Sequence, residues 1–118
     1  MEFSFTSKGK RFAVQAKEMK GLMRGIGLVF RTRNTQNLLF KFSRPNKTAI
    51  TGLFVFFPFL AIWLDKEKRV IEKKYITSFY WSATPRKNSA YLLELPINDK
   101  NLEIIEKMGF SVGKERFK

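Results

Sequence analysis

Chemistry in this chain has to be done without histidine and without cysteine, since neither residue occurs among its 118 positions. Their absence removes thiolate and disulfide chemistry, sulfur-ligated zinc, the commonest metal ligand and the side chain whose unperturbed pKa lies nearest neutrality. A serine or cysteine nucleophile activated by histidine is excluded with them. What remains is ten carboxylates and 23 Lys or Arg. Acid–base work would fall to those carboxylates, or to a lysine or tyrosine of shifted pKa, and no nucleophile or metal-ligand spacing accompanies them. The expectation is a non-enzymatic protein with no catalytic residues, no cofactor and no metal.

The net charge of +13 is the strongest functional signal. It is unevenly spread: residues 1–47 hold 11 Lys or Arg against Glu2 and Glu18, and residues 48–118 hold 12 against eight acids. A basic N-terminal half attracts polyanions through long-range electrostatics, nucleic acid first among them. The competing reading is that scattered lysines only keep a hydrophobic domain soluble, with a small molecule or a protein as the partner. No run of five like charges decides between them. Candidate anion-binding residues are Lys17, Lys20, Arg24, Arg31, Arg33, Arg44 and Lys47, the last four in two polar loops, 31–37 and 43–48.

These side chains need a scaffold, and the sequence names its centre. Ile50 to Leu64, ITGLFVFFPFLAIWL, is the longest uncharged stretch. A membrane helix wants roughly 20 apolar residues, and this run is shorter and broken by Pro58. Val55, Ile62 and the aromatics favour strands. The run therefore splits at Pro58 into strands around Leu53 to Phe57 and Ala61 to Leu64.

Upstream, Glu2 to Phe5 and Arg11 to Ala16 bracket the turn Ser7-Lys8-Gly9-Lys10, which reads as a hairpin whose second arm buries Phe12, Val14 and Ala16. Lys17 to Met23 has the spacing of a short helix, Leu28 to Phe30 of a brief strand, and Leu38 to Phe42 of another. Gly25-Ile26-Gly27 is too sparse for a phosphate-cradling loop. Downstream, 65–68 reads as a hairpin turn, Arg69 to Ile76 as a partly exposed strand, 77–89 as an aromatic-rich loop and Tyr91 to Leu95 as a strand closed by Pro96. Asn98 suits a helix N-cap, Leu102, Ile105 and Met108 form an apolar stripe, and Gly109 is the stop. Phe110 to Phe117 offers a last strand. The length suits one domain over 1–118, and the start lacks a secretory signal, so the cytoplasm is the expected compartment.

The order of motifs Lys20-Gly21-Leu22-Met23, Leu39-Phe40-Lys41-Phe42, Phe54-Val55-Phe56-Phe57-Pro58, Ile62-Trp63-Leu64-Asp65 and Tyr91-Leu92-Leu93-Glu94-Leu95-Pro96 resembles the prokaryotic domain-of-unknown-function family number 192 over about residues 17 to 113. The resemblance implies a mainly β domain, barrel-like or sandwich-like, and no established activity. This chain departs from the family pattern at Leu60 and at Gly113-Lys114, where acids are usual, and at Arg24-Gly25, where the family's arginine stands one place later.

Glu94 interrupts an apolar strand. It either faces water by strict alternation, or is buried in an ion pair with Lys20 or Arg24, since an isolated buried carboxylate is costly; a catalytic pairing with Asp65 is the third reading. The overall expectation is a mainly β protein, a small barrel-like or sandwich-like antiparallel sheet with a short N-terminal helical turn and one C-terminal helix, α+β being the alternative.

Overall fold

A computed structural model describes residues 1–19, 36–46, 57–76 and 85–110, with main chain alone for 43–46. Pro58 breaks the apolar run as its missing N–H requires, and β5 (Phe59–Leu64) begins immediately after it. The strand expected over Leu53 to Phe57 lies almost wholly outside the described residues. All six residues of β5 are buried. The reason is topological: β5 lies between β7 (Ser89–Pro96) and β6 (Val70–Ile76), antiparallel to both. A strand covered on both faces has no use for polar side chains, and its sequence runs continuously apolar.

The five-stranded sheet has the order β3-β4-β7-β5-β6, where β3 is Lys17–Glu18 and β4 is Leu38–Asn46. Among the described residues it is open, β3 and β6 forming its edges. β4 joins β7 antiparallel and β3 joins β4 in parallel, so the sheet is mixed. Strand β3 also corrects the start of the helical turn expected over Lys17 to Met23, whose residues 20–23 lie outside the described residues. Lys17 and Glu18 take extended conformation because they pair with Leu38 and Leu39, and the Lys17 and Met19 N–H groups donate to Asn37 O and Leu39 O at 2.8 and 2.9 Å. Tertiary pairing here overrides a weak helical spacing.

Side-chain alternation divides the interior in two. Leu39, Leu60, Ile62, Leu64, Leu93 and Leu95 face Phe3, Phe5, Val14 and Ala16 of the N-terminal hairpin and Ile105 and Met108 of the helix. Phe40, Phe59, Ala61, Trp63 and Leu92 occupy the second face with Met19, Phe57 and Ile76. Trp63 and Ile62 are fully buried on opposite faces of one strand. Each such side chain contributes about 1.5–3 kcal/mol of burial, so β5 anchors both layers.

The hairpin, β1 (Glu2–Ser7) and β2 (Lys10–Gln15), forms a separate two-stranded sheet laid across the first face. Its turn places Lys8 at φ 50° and Gly9 at φ 78°, the left-handed pair that a two-residue connection needs to match strand twist. Thr6 N–H donates to Lys68 O at 2.9 Å and ties β1 to the β5–β6 turn. The arrangement is sandwich-like.

The helix α1 (Leu102–Lys107) starts later than expected. Asn98 is not its N-cap; its side-chain oxygen instead accepts the Asn101 N–H at 3.2 Å, making a turn ahead of the helix, and Asn101 holds the cap position. At the other end Gly109, φ 99°, allows the Gly109 N–H to reach Glu106 O at 3.0 Å and the Phe110 N–H to reach Ile105 O at 3.2 Å, the paired bonds that satisfy terminal carbonyls. A six-residue helix is marginal by itself and is held by burial of Ile105 and Met108. Among the described residues no helix is long and apolar enough to cross a membrane.

Candidate anion-binding cleft and its surroundings

The strand β2 has two unlike long edges. Met1 and Ala16 exchange both main-chain bonds, Met1 N to Ala16 O at 3.1 Å and Ala16 N to Met1 O at 2.8 Å. In an antiparallel ladder such pairs alternate. With the unbroken register Phe3↔Val14, Phe5↔Phe12 and Ser7↔Lys10, the N–H and C=O groups of Val14, Phe12 and Lys10 therefore turn toward β1, while those of Gln15, Ala13 and Arg11 turn away. Asn37 Nδ2 donates to the outward Gln15 O at 2.8 Å, as this geometry requires.

That outward edge opens on a cleft of about 590 Å3 lined along β2 from Arg11 to Gln15, and across from it by Asn98, Lys100, Asn101, Glu103, Ile104 and Lys107. Its closed end is an amide network. Asn101 Nδ2 donates to Asn37 Oδ1 and to Pro96 O, both at 2.7 Å, joining α1 to the start of β4 and the end of β7. Phe12, Val14 and Ile104 give apolar floor, and Arg11, Lys100 and Lys107 give charge. The one acid in the lining among the described residues, Glu103, is already engaged by Lys107 Nζ at 2.8 Å, which holds its carboxyl below the usual value.

Positive charge continues round the hairpin turn. Lys8 and Lys10 are exposed there, ahead of Arg11. Lys73 Nζ donates to Met108 O at 2.6 Å, at the helix C-terminus where a cation is favoured, and lies 5.5 Å from the Phe110 ring centroid. Its pKa is lowered, first by burial and then by the field of Lys8. Lys68 Nζ stands 5.3 Å from the Phe3 ring centroid on the neighbouring turn. Next to it Asp65 is a structural acid: Oδ1 accepts the Glu67 and Arg69 N–H groups and Oδ2 the Arg69 Nε, each at 2.9 Å. Burial opposes its ionisation, and these donors outweigh burial and hold its pKa below the ordinary value.

Of the sequence-based candidates, Lys17 and the main chain of Arg44 fall within the described residues. Lys17 is exposed at β3, just beyond the end of β2 opposite the turn. Lys20, Arg24, Arg31, Arg33 and Lys47 lie outside the described residues. For Arg44 only the main chain is described, and it continues β4; the expected loop at 43–48 is strand as far as Asn46. Lys8, Lys10, Arg11, Lys100 and Lys107 were missed. Their signal was a glycine turn flanked by lysines, and an arm in which Arg11, Ala13 and Gln15 alternate outward.

Glu94 is 5 % exposed, which overturns the water-facing reading. It stands in register between Leu38 and Ala61, and Lys74 follows Ala61 on the next strand. Both proposed partners, Lys20 and Arg24, lie outside the described residues. Glu94 does not converge with Asp65: Leu64, beside Asp65, is opposite Tyr91, and three residues of strand, about 10 Å, separate Tyr91 from Glu94. Among the described residues no group of three or more His, Cys, Asp or Glu could hold a metal ion.

No family model matches the chain, and no curated protein is significantly similar to it. Solved structures do share its fold. One, from Novosphingobium aromaticivorans, is a protein of unknown function, 15 % identical, with a TM-score of 0.73 over 93 % of this chain and 79 % of that one. A second, from Sinorhizobium meliloti, is described as a "putative transcription regulator", 16 % identical, with a TM-score of 0.71 over 95 % of this chain and 87 % of that one. At such identities the likeness establishes the fold and nothing finer.

Proposed function

We propose that this protein is a non-enzymatic binding module for a polyanion, with nucleic acid as the polyanion. The observation that carries the reading is the concentration of cations around the hairpin: Lys8 and Lys10 exposed at its turn, Lys73 near enough to feel the field of Lys8, and Arg11 and Lys100 lining the cleft. Cations brought close together attract phosphates and drive their counterion release more strongly than lysines scattered over a surface. The regulator description of one structural neighbour is compatible with this reading. The absence of histidine and cysteine supports a binding role over a catalytic one. Membership of family 192, which the motif order suggests, adds no activity.

The test is anisotropy of labelled single- and double-stranded oligonucleotides over a salt series. Affinity persisting near physiological salt, with a log–log slope of several units at about 0.7–0.9 per phosphate contact, supports the reading. No binding there reduces the charge to a solubility feature.

A further inference from the structure

We propose that the outer edge of β2 is a docking site for an extended acidic polypeptide segment, which adds to it as a third strand of the hairpin sheet. This goes beyond the polyanion reading, because its affinity comes first from main-chain hydrogen bonds and only then from charge.

Alternation of the β1–β2 ladder aims the N–H and C=O of Arg11 and Ala13, and the N–H of Gln15, away from β1. Among the described residues β2 pairs with β1 alone, and Arg11, Ala13 and Gln15 are exposed. Unprotected edges of this kind are templates for another strand, and proteins usually cover or bend them. Here the edge faces a cleft with a far wall, α1, and room of about 590 Å3. A strand in a groove between an edge and a helix is a recurrent mode of peptide recognition. The Asn37 side chain already occupies Gln15 O at 2.8 Å, so the added strand stops at the amide network and its register is fixed at that end.

The side chains set the occupant's chemistry. In an added strand alternate residues point to the core side, where Phe12, Val14 and Ile104 are apolar, and the rest toward solvent. Arg11 and Lys100 give this path its positive charge, and Lys107 and Glu103, also in the lining, pair with each other at 2.8 Å. An alternating apolar and acidic segment complements both. A second copy of this chain does not, since each copy carries +13.

The test uses a labelled alternating Val-Glu decapeptide, the matched Val-Lys peptide, and two Val-Glu peptides N-methylated at alternate residues in opposite registers, titrated into the full chain. The Val-Glu peptide binds and the Val-Lys peptide does not. N-methylation in the register facing β2 weakens binding roughly tenfold or more, and in the other register it does not, since only one set of amides meets the edge. Ala13→Pro removes one outward N–H without touching the β1 ladder or the charge. It weakens peptide binding similarly and, because it removes no charge, lowers oligonucleotide affinity far less and leaves the salt slope of oligonucleotide binding in place, which separates this site from the polyanion reading. Equal effects of the two N-methyl registers overturn the proposal, because charge alone would then explain the binding. So does a dimer, seen by sedimentation, that Ala13→Pro dissolves and the peptide does not.

Discussion

Two six-residue strands carry the contrast on which this molecule is built. β5, FLAIWL, has a neighbour on each side, a layer on each face and no exposed residue. β2, KRFAVQ, has one neighbour among the described residues, one buried face and an outer edge turned to a cleft. Burial explains every residue of the first. In the second, burial explains only Phe12 and Val14, and Arg11, Ala13 and Gln15 are left to main-chain geometry and charge. Stability is concentrated in the strand that water never reaches, and the proposed binding edge lies on the one it does.

Proline substitution breaks the comparison most sharply. Ile62→Pro removes a ladder bond in the middle of the sheet and forces the backbone of a fully buried residue, at a cost of at least about 3 kcal/mol, enough to abolish a cooperative urea transition. Ala13→Pro removes an outward N–H on an edge and leaves the urea midpoint nearly unchanged. If both variants unfold alike, β2 is not an edge. Trp63→Ala should cost about 3–5 kcal/mol by denaturant titration, because Trp63 is fully buried and its loss leaves a cavity in the second layer.

Next in size is Glu94→Gln. The proposed burial against Lys20 or Arg24 predicts a loss of about 3 kcal/mol, and an unchanged melting temperature removes that ion pair from consideration. Gly9→Ala tests the turn that presents Lys8 and Lys10. Nothing lies within 4 Å of the added methyl, so the expected cost of about 1 kcal/mol is backbone strain at φ 78°.

Smallest is Asp65→Ala, about 1 kcal/mol at neutral pH, mostly from its two main-chain bonds because Arg69 is largely exposed and its charge is screened. The folded pKa is depressed below the ordinary 3.8. The contribution is therefore present above that value and lost as pH falls through the folded pKa, so wild type and variant should converge in acid.

The fold was legible wherever burial dictated residue type. Pro58 marked the break, the continuous apolar run marked β5, and alternation at Phe12, Val14 and Ala16 marked the inner face of the hairpin arm. It was less legible where local spacing competed with tertiary pairing. Lys17 and Glu18 begin a stretch with helical apolar spacing but have strand partners in space, and Asn98 has a cap's chemistry one turn too early. The cleft was not legible at all, because it is made from β2 and α1, some 90 positions apart, and from main-chain direction that side-chain identity does not encode.

The most direct test of the central claim is the salt dependence of oligonucleotide binding by wild type and by the Lys8→Ala, Lys10→Ala, Arg11→Ala triple variant. The account predicts that the triple variant binds more weakly and that its log–log slope is shallower by about 2–3 units, because each cation removed leaves one phosphate with its counterions. A wild type that does not bind near physiological salt, or a variant whose slope matches it, would contradict the claim that these cations form the binding surface.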